Sequence, residues 1–128
     1  MKFMKRFGSE AYAALRIIAG LLFFAHGLQK LLGYPPMPEG YPPPPAFIIY
    51  VAGPIELFGG LLIALGLFTR PAAFLCSGLM AFAYWMAHGL KHWLPLVNQG
   101  ELAVLYCFLF LFIAATGPGR WSLDAVRS

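Results

Sequence analysis

Charged residues are scarce in this chain: of its 128 residues, nine are Lys or Arg and five are Asp or Glu, which makes 11%. A soluble domain of this size exposes most of its side chains, and about a quarter of its residues are charged. Hydrophobic residues, by contrast, make up 60% of the chain. The composition therefore excludes an ordinary soluble globule and predicts an integral membrane protein whose surface is covered by lipid.

Cysteine is equally scarce, with only Cys76 and Cys107, and neither belongs to a Cys-x-x-Cys motif. Both lie in apolar stretches, and the topology predicted below puts them in opposite halves of the membrane. A disulfide between them is therefore not expected, and small buried apolar residues are the favoured interpretation. The chain also has no glycine-rich phosphate loop and no flavin, haem-attachment or thiol-redox motif.

The basic residues give a formal net charge of +4, but they lie at the edges of apolar blocks and form no patch. That placement favours lipid headgroups over nucleic acid as their partner. The basic start "MKFMKR" suggests a signal peptide. The apolar run after it is too long, contains Glu10 and Arg16 and has no convincing cleavage site, so we expect a retained helix.

Four segments are long enough to cross ~30 Å of hydrocarbon at ~1.5 Å per residue. They are predicted at about residues 11–32, 46–68, 71–90 and 101–116. The fold class expected is all-α: an antiparallel four-helix transmembrane bundle formed by a single domain, residues 1–128. The short link Thr69–Arg70 makes the second and third helices antiparallel neighbours.

The first two helices are joined by a proline-rich loop with seven prolines between Pro35 and Pro45. Such a loop is extended and stiff. A rigid connector is the favoured interpretation, and a lid over the mouth of the bundle, with Tyr34 and Tyr41 at headgroup level, is the alternative.

The orientation follows from the positive-inside rule. With a cytoplasmic N-terminus, only Lys30 and Lys91 lie on the outer side. The cytoplasmic side then collects Lys2, Lys5, Arg6, Arg70, Arg120 and Arg127. Both termini are therefore predicted in the cytoplasm, and the protein is predicted to be a multi-pass protein of the inner membrane.

This topology brings polar residues of all four helices to the outer half of the bundle. The candidate ligand or proton site consists of His26, Gln29, Lys30, Glu56, Tyr84, His88, Asn98 and Glu101. Glu56 is the most costly of them, because a carboxylate at mid-membrane needs a partner or a proton. His26 is the predicted proton-exchanging partner, and Arg16, nearer the cytoplasm, is a candidate charge partner. The second helix also carries a stripe that permits close helix packing: Ala52, Glu56, Gly60 and Ala64.

Three other interpretations bear on these residues. No metal site is predicted, because the ligand-type residues, His92 among them, follow no recognised motif. Glu101 has an alternative role as an acid at a helix N-terminus. A polar network that only holds helices together stays open beside a functional site, although ionisable groups buried in membranes favour function.

Four motifs resemble the DoxX family, and together they cover nearly the whole chain. They are "HGLQK", "IELFGGLLIALGLFTRPAA", "NQGELAVLY" and "GPGRWSLD". The resemblance implies a small four-helix membrane protein of bacteria or archaea, linked to quinone-dependent oxidation of sulfur compounds and to redox stress. The positions that match the polar motifs of the family are His26, Lys30, Glu56, Arg70, Asn98 and Glu101. The long proline-rich loop departs from the family pattern.

The predicted function is a membrane component of a redox-linked system that binds a quinone or another small apolar molecule, a proton, or both. No intrinsic cofactor is expected, so electron transfer requires a protein partner, and a complete enzyme is disfavoured. The lipid bilayer and a membrane or redox protein are the expected partners, with a homo-oligomer left open. The alternatives are a small-molecule transporter or permeation subunit, and a structural or assembly partner of a membrane complex.

Overall fold

The computed structural model describes residues 1–127, and within them the regular structure is helical with no strand. The helices are α1 (Gly8–Leu32), α2 (Gly53–Leu65), α3 (Thr69–Tyr84), α4 (Pro95–Asn98), α5 (Glu101–Thr116) and α6 (Leu123–Arg127). A 3₁₀ turn, Lys2–Phe7, precedes α1, and π turns precede α2 (Ile48–Ala52) and follow α3 (Trp85–Gly89). The all-α class is confirmed.

Two helices have the length and apolar composition needed to cross a membrane: Lys2–Leu32 and Ile48–Leu65. The helix Glu101–Thr116 is apolar but shorter. The second long helix, Ile48–Leu65, consists of α2 and the π turn before it. It reaches this length only because the π turn continues directly into α2.

The link between α2 and α3 differs from the prediction. It consists of Gly66–Phe68 instead of Thr69–Arg70, because Thr69 already begins α3. Gly66 ends α2 in a left-handed conformation (φ +68°) and donates its N–H to Ile63 O over 3.1 Å. Leu67 and Phe68 continue the apolar pattern of the helix, which is why the pattern alone placed the boundary too late.

Helices α1 and α2 pack backbone against backbone through two glycines. A Cβ atom at Gly20 would lie 2.5 Å from Ala64 N, and one at Gly60 would lie 2.7 Å from Gly20 O. Neither position has room for a side chain, so the small-residue stripe of α2 sets the distance between the helices. This close packing fixes which residues of α1 reach Glu56.

Helices α1 and α5 are bridged by aromatic rings near the middle of the molecule. The Phe23 ring lies 5.2 Å from that of Tyr106 and 4.8 Å from that of Phe110, measured between centroids. Offset and edge-on rings at these distances contribute beyond the area they bury. Phe23 and Phe110 are fully buried, and the core of the molecule lies around them.

The two cysteines lie closer together in depth than predicted. Ser77 donates its hydroxyl to Cys107 O at 2.7 Å, and its Oγ lies 3.6 Å from Cys107 Sγ. Cys107 therefore lies beside Ser77, the neighbour of Cys76, so the two cysteines do not differ in depth as the prediction expected. The prediction put Cys76 near the start of a helix over 71–90, whereas α3 runs from Thr69 to Tyr84 and has Cys76 near its centre. Both are free thiols.

The C-terminal segment packs over one end of the molecule. We call this end the terminal end; it comprises Gly8, Gly66, Thr69 and residues 116–127. Arg16 is fully buried there. Its guanidinium donates to the carbonyls of Ile63 (3.0 Å), Arg120 (2.9 Å) and Trp121 (2.7 Å), and also to that of Pro118. One side chain of α1 thereby ties the end of α2 to the C-terminal segment.

Asp124, from the same segment, caps the start of α3. Its carboxylate accepts the backbone N–H groups of Phe68 and Thr69, each at 2.9 Å, and the Thr69 hydroxyl at 2.8 Å. The hydrogen bond from Thr69 N lowers the pKa of Asp124, because it favours the charged form of the carboxyl. A residue distant in sequence thus supplies the cap that α3 lacks locally.

Candidate functional site

A cavity of about 510 Å³ lies at the opposite end of the molecule. We call it the central cavity. It is lined by His26, Lys30, Tyr41, Pro44, Pro45, Ile48, Ala52, Glu56, Met80, Ala83, Ala87, His88, Gln99, Leu102, Ala103 and Tyr106. Nine of these sixteen side chains are apolar, and seven carry a polar group. This is the usual build of a pocket for a small organic molecule.

An ion pair between Lys30 of α1 and Glu56 of α2 lies in the wall of the cavity. Lys30 Nζ lies 2.6 Å from each carboxylate oxygen of Glu56. Glu56 is only 2% exposed, whereas the Lys30 side chain keeps 20% exposure. A carboxylate so deeply buried requires a close partner, and Lys30 supplies it. Lys30 therefore points at Glu56 and not away from the molecule.

Arg16, the predicted charge partner of Glu56, has a different role. All of its hydrogen-bond acceptors are backbone carbonyls, one near the end of α2 and three in the C-terminal segment. The candidate pairing of Arg16 with Glu56 is therefore corrected: the partner is Lys30, and Arg16 belongs to the closure of the C-terminal segment. The prediction judged Arg16 by its distance along the helix axis and had no means of locating the carbonyls of residues 118–121.

His26 lies one helical turn before Lys30 and also lines the cavity. Its ring meets that of Tyr106 edge-on, with the centroids 6.2 Å apart. Within residues 1–127, neither the His26 imidazole nor the Tyr106 hydroxyl makes a hydrogen bond to the protein. Two polar groups are thus available to a molecule in the cavity, next to the Lys30–Glu56 pair.

His88 lines the cavity from the π turn that follows α3. Its Nδ1 lies 3.0 Å from the backbone oxygen of Asn98. Since a carbonyl oxygen only accepts, Nδ1 carries the hydrogen. Its Nε2 makes no hydrogen bond within residues 1–127. Both π turns of the chain contribute lining residues, and such turns are frequent at functional sites.

Tyr84 and Asn98 build the connection between α3 and α5 and do not line the cavity. Asn98 Nδ2 donates to Tyr84 Oη at 2.9 Å and to His92 O at 2.8 Å, and Asn98 Oδ1 accepts from Gly100 N at 2.8 Å. With every polar atom of its side chain bonded, Asn98 holds the connection in place. It also holds the backbone carbonyl that orients His88.

The two other predicted site residues lie apart from the cavity. Gln29 donates to Pro36 O at 3.4 Å, which ties α1 to the proline-rich segment. Glu101 is exposed at the first position of α5, where a negative charge interacts favourably with the helix dipole. The structure thus brings together four of the eight predicted residues: His26, Lys30, Glu56 and His88.

Three polar lining residues were not among the predicted site residues: Tyr41, Gln99 and Tyr106. Tyr106 carried a usable signal, because it is a hydroxyl-bearing residue in an otherwise apolar part of α5. Tyr41 lines the cavity together with Pro44 and Pro45, so residues of the proline-rich segment form part of its wall. No group of three or more metal-ligand residues with suitable placement occurs within residues 1–127.

Comparison with known proteins places the chain among membrane proteins. The family model for DoxX matches residues 11–89, more than half of the chain. The chain belongs to the DoxX family, as its motifs indicate. No solved structure matches it.

Three relatives cover most of the chain. An uncharacterized protein of Haemophilus influenzae is 39% identical over 97% of this chain and 96% of its own length. The Bacillus subtilis protein named "Putative oxidoreductase CatD" is 34% identical over 86% of this chain and 81% of its own. The Escherichia coli protein named "Inner membrane protein YphA" is 31% identical over 85% of this chain and 84% of its own.

Proposed function

We propose that the chain is a membrane component of a redox-linked system and that its central cavity binds a quinone or a similar small apolar ring. The observation that carries the proposal is the set of side chains at one cavity: the Lys30–Glu56 pair beside the unbonded polar groups of His26 and Tyr106. These groups can hydrogen-bond the ring oxygens of a ligand or exchange a proton with it. The apolar walls suit its ring and tail.

The proposed topology has four membrane crossings in a single domain, with both termini in the cytoplasm. The crossings are α1, α2 with its π turn, α3 continued by its π turn to Gly89, and α5. The basic residues support this orientation, since six of the nine lie at the terminal end or next to it in sequence: Lys2, Lys5, Arg6, Arg70, Arg120 and Arg127. The cavity then opens in the outer half of the membrane, where an apolar molecule dissolved in lipid can reach it.

A quinone is proposed as the ligand because of the redox-linked role proposed for the protein, and not because the sequence carries a cofactor motif. The sequence has no motif for an attached redox group, so electrons would have to pass to or from a partner protein. The name of the Bacillus relative describes an oxidoreductase, which concerns that protein and motivates a quinone as the first probe. A homo-oligomer is compatible with the proposal.

Retention of a short-chain benzoquinone by the protein in lipid nanodiscs tests this function. Ala87 lines the cavity, and its neighbour Met86 does not. We expect Ala87→Trp to fill part of the cavity and lower the retained quinone at least tenfold, whereas Met86→Trp keeps the wild-type amount. The readout is quinone extracted per protein after washing, against empty nanodiscs. Wild-type retention no greater than that of empty nanodiscs would overturn the proposal.

A further inference from the structure

The hydrogen-bonding roles of three cavity groups are fixed by what already binds them. The Lys30 ammonium can only donate, and the Glu56 carboxylate can only accept. His88 is fixed by Asn98, because its Nδ1–H donates to a carbonyl at 3.0 Å. In the neutral imidazole the other nitrogen, Nε2, then carries a lone pair and accepts.

Nε2 of His88 is available to a ligand. His88 lines the central cavity, and the only hydrogen bond of its ring within residues 1–127 is the one through Nδ1. The backbone carbonyl that fixes this tautomer is itself held by the bonds of the Asn98 side chain to Tyr84, His92 and Gly100. The orientation of His88, and with it the acceptor at Nε2 of the neutral imidazole, is therefore set by bonds within the protein.

These fixed roles distinguish between the two redox forms of a quinone ring. A quinone carbonyl only accepts, so it can take a hydrogen bond from Lys30 but faces Nε2 of His88 as acceptor against acceptor. A ring hydroxyl both donates and accepts, so it can accept from Lys30 and donate its one hydrogen to either Glu56 or Nε2 of His88. His26, Gln99 and Tyr106 can take either role and do not discriminate.

We propose that the central cavity preferentially binds the reduced, dihydroxy form of the ring and that His88 is the residue that determines this preference. The inference rests on the proposed function, since it names the form of the ligand that the same cavity holds. A ligand that leaves this acceptor without a donor loses the free energy of one hydrogen bond, which corresponds to about a tenfold weaker Kd.

The test compares three ligands with the same ring and tail under anaerobic conditions: the dihydroxy compound, its quinone and its dimethyl ether. Binding is measured to the protein in nanodiscs and corrected for partition into empty ones. We expect the dihydroxy form to bind at least tenfold more tightly than the other two. The ether keeps the oxygen atoms but cannot donate, so it tests the donor requirement without any mutation.

A pair of variants assigns the preference to His88. In His88→Leu the ratio of the affinities for the dihydroxy form and for the quinone should fall to near one, mainly because the dihydroxy form binds more weakly. His92→Leu, which alters a histidine outside the cavity lining, should keep it, and thermal melting checks that both variants are folded. Equal binding of the three ligands, or a preference that survives His88→Leu, overturns this inference and leaves the proposed function standing. Failure of all three ligands to bind overturns both.

Discussion

Lys30→Met is expected to destabilise the protein by about 3 kcal/mol or more, because it leaves Glu56 buried without its partner. The carboxylate loses two hydrogen bonds of 2.6 Å to the ammonium and is too deeply buried to reach solvent. Glu56→Leu should cost less, since the Lys30 side chain is partly exposed and can turn outward. Thermal unfolding in detergent measures both changes.

The double variant Lys30→Met/Glu56→Leu separates a structural tie from a ligand site. Replacing a buried ion pair by apolar residues of similar size is often neutral or stabilising, so the double variant should recover most of the lost stability. Its quinone retention should nevertheless stay at least tenfold below wild type. Lys91→Met, which changes an exposed lysine, is the control and should alter neither property. A stable double variant that retains quinone like the wild type would show that the pair only joins helices.

Arg16→Leu is the second change with a large expected effect, at about 4 kcal/mol. The substitution leaves the partly buried carbonyls of Pro118, Arg120 and Trp121 without a donor, whereas Ile63 O keeps the N–H of Gly66. Each bond to a charged group contributes about 1.5–3 kcal/mol, although such terms are not additive. It also removes most of the hydrogen bonds between α1 and the C-terminal segment, leaving that of Tyr12 Oη to Gly117 O and the ion pair of Arg120 with Glu10. We expect lower thermal stability and rapid tryptic cleavage at Arg120.

Two comparisons define the Arg16 result. Arg16→Lys keeps the charge but has fewer donors in a less suitable geometry, so it should be intermediate. Arg6→Leu removes an exposed arginine near the same end and should change stability little. Slow tryptic cleavage of Arg16→Leu, similar to that of wild type, would mean that residues 117–127 are held by other contacts, such as those of Asp124.

The helical fold was largely predictable because its signals are local. Long apolar segments, the glycine and proline stop after Thr116, and Glu101 at the start of α5 define elements that the structure contains. The boundary after α2 was not predictable in the same way. Gly66 ends the helix by its backbone conformation, while the apolar pattern continues through Phe68.

The candidate site was predictable only as a group of residues at similar depth. Glu56 was expected to need a partner, but spacing alone could not choose between His26 and Lys30, which lie on adjoining turns of α1. The choice depends on how α1 and α2 slide against each other, and that offset is fixed by the contact of Gly20 with Gly60. Asn98 and Tyr84 were included because they are polar, yet their bonds are to each other and to a loop.

Photolabelling with an azido-benzoquinone in nanodiscs, mapped by mass spectrometry, tests most directly whether the cavity is the binding site. Labels should concentrate on peptides that contain His26–Lys30, Ala83–His88 and Gln99–Tyr106, the segments that supply cavity side chains. An excess of unlabelled dihydroxy compound should remove them. Labelling spread over the exposed apolar surfaces of the helices, with no competition, would contradict a binding site in the central cavity.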